Sequence, residues 1–208
     1  MADTSKPTSD LESVDITIIR FSDIIDNFEE DKVQDLLESF ECSKNSDVQY
    51  FLHKTARLIE ETNKGRTYLV VTTSSYENLN SPLEIVGYFT LALKYFEFKP
   101  DVSNTLKKKL NGLSSEVDGV ACYLIGQLGR NDNTSARVAG SVLLDLALDR
   151  IQEAKDVVGG RFVLVECEQN LKLISFYEIN NFIRIPDDSD DSMAQLFCLL
   201  SRTGDDKQ

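Results

Sequence analysis

Residues 123–148 constrain the fold of this chain more than any other part of its sequence. They read YLIGQLGRNDNTSARVAGSVLLDLAL: an apolar, strand-like run, a cluster of small and polar residues, and a helical pattern that begins after Gly140-Ser141. A strand that passes through such a loop into a helix predicts an α/β architecture. The first turn of a helix exposes unpaired backbone N–H groups and carries partial positive charge, so this loop is suited to hold an anion.

The loop lacks the features of the two commonest nucleotide-binding loops. No Lys-Ser/Thr pair ends it, as in a nucleoside-triphosphate loop, and its glycines are not spaced as in a dinucleotide-binding fold. Arg137 could add a cationic group to the loop. The candidate anion cradle comprises Ser135, Ala136, Arg137, Val138, Ala139, Gly140 and Ser141. An ordinary capped connection between a strand and a helix remains open on these residues alone.

Length and composition predict a single soluble domain. A chain of 208 residues that is 41% hydrophobic can bury a sizeable core. We expect that domain over residues 14–202, with disordered polar tails at 1–13 and 203–208. No apolar run reaches the roughly 18 residues of a membrane span, and no secretory leader is recognisable. The cysteines are scattered singly, as in a reduced cytoplasmic protein: Cys42, Cys122, Cys167 and Cys198.

The charge of the chain restricts its partners. Lys and Arg number 22 against 35 Asp and Glu, so the formal net charge is -13 at pH 7. Such a field repels a phosphate backbone and attracts amines, which disfavours nucleic acid and favours a cationic partner. His53 is the single histidine. Multi-histidine metal sites are therefore excluded, a Ser-His-Asp hydrolase is disfavoured, and we predict no metal.

The order of predicted elements indicates a mixed sheet with helices on both faces. Residues 22–40 suit one or two amphipathic helices, and Asp47 is the expected cap of a further helix that ends before Gly65. Residues 94–118 form a long excursion with one short helix. Further helices are predicted over 141–158 and 171–179, and strands over 15–21, 67–73, 85–93, 120–128, 162–167 and 194–200, of which the second and third form an antiparallel hairpin with a long connection.

Residues 123–148 resemble the acetyl-coenzyme-A (acetyl-CoA) motif of the GNAT N-acetyltransferase superfamily. LIGQLGRN is similar to the family's strand LLGRLAVD, SARVAG to its loop R/Q-x-x-G-x-G/A, and SVLL to the start of its helix. FVLVECE, the FYE and NNF triplets of residues 176–182, and the toxin-like strand IVGYFTLAL extend the resemblance from about residue 15 to residue 200. It implies a mixed, largely antiparallel GNAT-like sheet with helices on both faces.

The resemblance also implies a cofactor site. The backbone groups of Leu128, Gly129 and Arg130 would pair with the pantetheine arm of acetyl-CoA, and the amides of the cradle, residues 135–141, would hold its pyrophosphate. This chain departs from the family pattern at three positions: Ser135 replaces Gln or Arg, Val138 replaces a glycine, and Asn181 replaces the glycine of the last signature. We expect Val138 either to crowd the phosphate or to force a slightly different loop, whereas Asn tolerates the left-handed conformation.

The implied reaction is direct attack of an amine on the acetyl thioester. The family motif places Tyr177 as the acid that protonates the departing thiolate, although a half-buried aromatic of a helix is its alternative role. Glu84, Glu97 and Glu166 are the candidate bases, and water could suffice. Lys107, Lys108 and Lys109 could meet the 3'-phosphate of the cofactor, although such a run is usually a solvated helix face.

The sequence leaves three functions open. The first is acetyl transfer to an unidentified primary amine, and the second is a non-catalytic GNAT-fold module that binds a protein partner. The third is acetylation of aminoacyl-tRNA by a toxin-type enzyme, against which the net charge argues. A homodimer also remains open.

Overall fold

The computed structural model describes residues 14–78, 81–186 and 193–200, so both predicted tails lie outside the described residues. Seven strands are found in this part of the chain: β1 (Ile16–Arg20), β2 (Arg66–Thr72), β3 (Ile85–Glu97), β4 (Gly119–Arg130), β5 (Phe162–Glu168), β6 (Ile183–Arg184) and β7 (Met193–Leu199). The helices are α1 (Phe21–Asn27), α2 (Glu30–Glu38), α3 (Ser46–Tyr50), α4 (Ala56–Glu61), α5 (Thr73–Glu77), α6 (Asn104–Asn111), α7 (Gly140–Val158) and α8 (Leu171–Ile179). A π-helical turn, Phe51–Thr55, joins α3 to α4.

The strands form one sheet in the order β1-β2-β3-β4-β5-β7-β6. Every neighbouring pair is antiparallel except β4 and β5, which are parallel and are connected through α7. The prediction of a mixed, largely antiparallel sheet is therefore confirmed, and so is the hairpin of β2 and β3.

Helices cover both faces of the sheet, as predicted. On one face, α7 and α8 pack in a cluster that contains Leu143, Leu144, Ile174 and Tyr177. On the other face, α1, α2 and the π-helical turn pack over β1, β2 and β3, and α6 packs over the N-terminal half of β4. Adjacent residues of one strand serve opposite faces, because strand side chains alternate. Gly87, for example, faces Leu143 of α7, whereas Tyr88 stacks edge-on against Phe40.

Two local predictions are corrected. The helix that follows residue 45 is capped by Asn45 and not by Asp47, because Asn45 Oδ1 accepts hydrogen bonds from Asp47 N at 2.9 Å and Val48 N at 3.2 Å. Strand β3 continues to Glu97, so the predicted excursion begins four residues later. Pairing with β4 explains the extension, since Lys94 lies opposite Cys122 and Glu97 opposite Gly119.

The remaining predicted elements differ from the observed ones by one or two residues, and α8 has the predicted bounds. None of the helices in the described ranges is both long and apolar enough to traverse a lipid bilayer.

Candidate active site

Strands β4 and β5 separate after only three paired positions. Tyr123, Leu124 and Ile125 pair with 163–165, and from there β4 stays with β3 while β5 stays with β7. The register of β3 and β4 jumps at Gly126, which is an extra residue in β4. Because a bulge bends and twists its strand, it accounts for the divergence. A cleft of about 710 Å³ opens between the two strand ends.

The backbone of β4 presents unpaired groups to this cleft. Asn131 N donates to Val86 O of β3 at 3.0 Å, and bonding direction alternates along an antiparallel strand. Gly129, opposite Tyr88, therefore bonds to β3, whereas Leu128 and Arg130 direct their N–H and C=O groups to the cleft. Of the three residues predicted to pair with a pantetheine arm, Leu128 and Arg130 have the required orientation.

Gly129 also lines the cleft, and it has a packing role. A Cβ atom at this position would lie 2.4 Å from Val48 Cγ1, and the rings of Phe40 and Tyr88 would be 3.2 Å away. The glycine therefore allows α3 to approach β4 closely and to form a wall of the cleft.

The loop that leads to the cradle begins where β4 ends, and Asn131 fixes that point. This residue is buried, and its Oδ1 accepts hydrogen bonds from Glu41 N at 3.0 Å and Asn133 N at 2.9 Å. Its Nδ2 donates to Ile85 O at 2.7 Å. One side chain thus joins the start of β3, the segment after α2 and the loop that leads to α7.

Val138 does not occupy the cradle. Its side chain is 9% exposed and belongs to the same core cluster as Leu143 and Leu144. Of the two expectations for this valine, crowding of a phosphate does not fit the structure, because α7 and the sheet offer the side chain an apolar site on the inner side of the loop. Its carbonyl is turned toward Arg130, whose Nη1 lies 3.4 Å away.

The cradle amides differ in their availability. Ala136 N donates to Thr134 Oγ1 at 3.1 Å, so it is occupied. Within the described chain, the N–H groups of residues 137–141 make no hydrogen bond, and no side chain caps α7. Ser135, Arg137 and Ala139 are exposed, and Gly140 lines the cleft. A Cβ atom at Gly140 would press on the ring of Phe176 at 3.3 Å.

Tyr177 lies on the α8 side of the cleft. Its ring packs against Phe176 and Phe182 at centroid distances of 5.1 and 5.4 Å, and the residue is 7% exposed. Tyr177 is one of the residues that line the cleft, and its hydroxyl forms no hydrogen bond with any described residue. Burial, and to a lesser extent the nearby Cys167, raises the pKa of this phenol above its usual value, so it is protonated at neutral pH.

Two features hold Tyr177 in place. Asn170 caps α8 by accepting a hydrogen bond from Lys172 N at 3.0 Å. Asn181 adopts a left-handed conformation with φ of 67°, as expected of a residue in place of the signature glycine. The reversal lets Phe182 N donate to Tyr177 O at 3.0 Å and places the Phe182 ring beside the phenol.

Only one of the three candidate bases lines the cleft. Glu166 is the residue of β5 next to the last parallel pair; its carboxylate forms an ion pair with Lys94 and accepts from Gln195 Nε2 at 2.7 Å. Glu84 lies outside the cleft, bonded to Thr134, and Glu97 is exposed at the far end of β3.

Sequence reasoning missed the rim of the cleft, residues 41–45. Ser43 N and Oγ donate to Asp132 Oδ2 at 2.8 and 2.6 Å, and these bonds lower the pKa of that carboxyl. Asn45 Nδ2 lies 3.4 Å from Glu168 Oε1 across the cleft. These partners are 89 and 123 residues apart in sequence, so no local pattern could have revealed them.

The other basic and imidazole groups considered from the sequence lie elsewhere. Lys107 and Lys109 sit over the rings of Phe98 and Phe197, and Arg161, just before β5, donates to Lys109 O. This places α6 at the opposite end of β4 and β5 from the cradle. His53 Nε2 lies 2.8 Å from Phe40 O, which is a packing role.

No protein-family model matches the chain, and no curated protein matches it. Solved structures do share its fold. AtaTR bound with acetyl-CoA superimposes with a TM-score of 0.64 at 20% identity, over 89% of this chain and 94% of that one. AtaT complexed with acetyl-methionyl-tRNAfMet gives 0.63 at 22% identity, over 89% and 95%.

A tyrosine-to-phenylalanine mutant of KacT gives a TM-score of 0.65 at 20% identity, over 89% of this chain and 95% of that one. The sheet order, the parting of β4 from β5 and these superpositions agree with the expectation from the sequence motif. The chain has the GNAT fold, in the form found in AtaT and KacT.

Proposed function

We propose that this chain is an acetyl-CoA-dependent N-acetyltransferase that transfers an acetyl group to a primary amine by direct attack. The observation that carries the proposal is the cleft between β4 and β5. It is lined by the strand edge at Leu128 and Arg130, by Gly140 and by Tyr177. Gly140 belongs to the run of amides, residues 137–141, that form no hydrogen bond with any described residue. AtaTR, which has the same fold, was solved with acetyl-CoA bound.

The residues present fit the cofactor. The N–H and C=O groups of Leu128 and Arg130 would bond to the amides of the pantetheine arm, as an added strand would. The N–H groups of residues 137–141 and the positive end of α7 would hold the pyrophosphate, and Arg137 is free to add its charge. Since the side chain of Val138 points into the core, it does not separate the backbone of the loop from the diphosphate.

The reaction needs three operations from the chain. As the amine nitrogen bonds to the acetyl carbon, the carbonyl oxygen becomes an oxyanion, and a backbone N–H of β4 that the pantetheine arm leaves free stabilises it. The C–S bond then breaks, and the proton of Tyr177 passes to the sulfur, so coenzyme A leaves as a thiol. The phenol regains a proton from solvent.

Glu166 is the base in this proposal. It is the carboxylate nearest the point where β4 and β5 part, and Lys94 and Gln195 hold it in place. It would take the proton that the amine loses. The substitution Glu166→Gln should lower the amine-dependent rate by about 100-fold or more, the lower end of the range for general bases. Glu97→Gln, at the far end of β3, is the matched control; equal rates for the two variants would assign the proton to water.

An aminoacyl-tRNA acceptor is the second candidate. AtaT, complexed with acetyl-methionyl-tRNAfMet, shares the fold, whereas the net charge of -13 opposes a polyanion. Expression in a bacterial host without a neutralising partner should arrest growth if this acceptor is correct. Normal growth with active enzyme present would refute it.

Calorimetric titration with acetyl-CoA tests the proposal itself. We expect saturable heat and a rise in melting temperature. If neither occurs at millimolar cofactor, the enzyme proposal fails and the non-catalytic binding module remains.

A further inference from the structure

Glu84 is bonded to groups that have no part in the proposed reaction. Thr134 Oγ1 donates to one oxygen of its carboxylate, and Thr72 Oγ1 lies 3.3 Å from the other. The N–H of Glu84 donates to Ser75 Oγ at 3.0 Å, and Ser75 Oγ donates to Thr72 O at 2.9 Å. The carboxylate is therefore tied to the end of β2 and the start of α5.

The bond to Glu84 decides which way the Thr134 hydroxyl points. A hydroxyl has one proton and a carboxylate can only accept, so the proton lies toward Glu84. The lone pairs of Thr134 Oγ1 are then available to Ala136 N, which donates to it at 3.1 Å. Glu84 and Thr134 thus fix the backbone two residues before Val138.

Together with Asn131, this pair fixes the loop at both ends of residues 131–136. The GNAT pattern has Gln or Arg at position 135 and glycine at position 138, and this chain has neither. The shape of its loop must come from other contacts. Beyond Ala136, the N–H groups of residues 137–141 remain unbonded, and Val138 turns inward.

We infer that Glu84 and Thr134 are positioning residues for the diphosphate of the cofactor and replace the motif residues that this chain lacks. The inference rests on the proposed function, because it presupposes a coenzyme A ligand. The contacts of Glu84 and Thr134 restrict the conformation of the loop that carries the amides, and they do not involve the reacting atoms. Loss of the Thr134 hydroxyl should therefore weaken cofactor binding and leave turnover at saturating cofactor unchanged.

Thr134→Val removes the hydroxyl at nearly constant shape, and Thr134→Ser keeps it. Loss of one hydrogen bond predicts coenzyme A binding weakened by about three- to tenfold in Thr134→Val, and wild-type binding in Thr134→Ser. Thr105→Val is the matched control, because Thr105 is exposed on α6. Titration calorimetry on the full chain gives the Kd, and thermal melting shows whether each variant folds. If Thr134→Val does not fold, Thr134→Ala replaces it in the same measurements.

Hydrogen exchange of the free protein provides a readout that needs no ligand. The amide of Ala136, which Thr134 Oγ1 accepts from, should exchange faster in Thr134→Val, with segments outside this loop unchanged. Wild-type affinity and exchange in Thr134→Val would overturn the inference and leave the proposed function intact. Weakened binding that Thr134→Ser also shows, or faster exchange throughout the chain, would overturn it as well. A wild-type chain that does not bind coenzyme A would refute the proposed function and this inference together.

Discussion

Replacing Tyr177→Phe separates catalysis from structure at this site. The substitution removes one oxygen atom and keeps the ring, so the contacts with Phe176 and Phe182 remain. The hydroxyl bonds to no other described residue, so its loss leaves no polar group without its partner. We therefore expect the free energy of unfolding to change by no more than about 0.5 kcal/mol.

The effect on turnover should be much larger. A positioned general acid contributes about 10²- to 10⁴-fold, so kcat should fall by about 100-fold or more, equivalent to about 2.7 kcal/mol of transition-state stabilisation. The affinity for acetyl-CoA should stay within about twofold, since in the proposed reaction the phenol acts on the sulfur only as the C–S bond breaks. Because burial raises the pKa of Tyr177, its acid form persists through neutral pH and causes no loss of rate there.

The assay measures coenzyme A release by chromatography, with a panel of primary amines, together with calorimetry and thermal melting. Tyr95→Phe is the matched control, because Tyr95 is exposed at the far end of β3. Turnover within threefold of wild type would refute the acid role. A parallel loss of turnover and cofactor affinity would show instead that the hydroxyl serves binding.

Three further predictions concern stability. Gly129→Ala should lower the unfolding free energy by about 1–3 kcal/mol in urea titrations, because its Cβ meets Val48. Gly126→Ala should leave the unfolding free energy unchanged, because its Cβ would have no neighbour nearer than 3.9 Å. Equal losses in the two variants would contradict the steric argument. Asn181→Ala should cost about 1 kcal/mol and Asn181→Gly nothing, because φ is 67°; thermal melts in the reverse order would be contradictory. Burial raises the pKa of Tyr88, so the contribution of this neutral phenol to the unfolding free energy should be fully present below the unfolded phenol's pKa of about 10 and should decline above it. A urea midpoint that stays constant to pH 11 would refute this.

Much of the fold could be predicted from residues that are close in sequence. The bounds of α8 follow from helical periodicity, and the left-handed residue at Asn181 follows from the chemistry of a chain reversal. The motif of residues 123–148 located the strand, the loop and the helix that frame the cleft. The resemblance to a known family singled out Tyr177, which lies on the α8 side of the cleft. Local periodicity, capping and φ preference are properties of a few consecutive residues, so a sequence carries them directly.

The tertiary structure alone decided which groups the cleft presents. The glycine missing at position 138 suggested a crowded cradle, but the core on the inner side of the loop takes the valine. Glu84 was a candidate base by its chemistry, yet it bonds Thr134, 50 residues away, and Glu166 stands beside Lys94, 72 residues away. The direction of a loop side chain and the partner of a carboxylate depend on what packs against them. Those neighbours come from distant parts of the chain, and only the folded sheet brings them together.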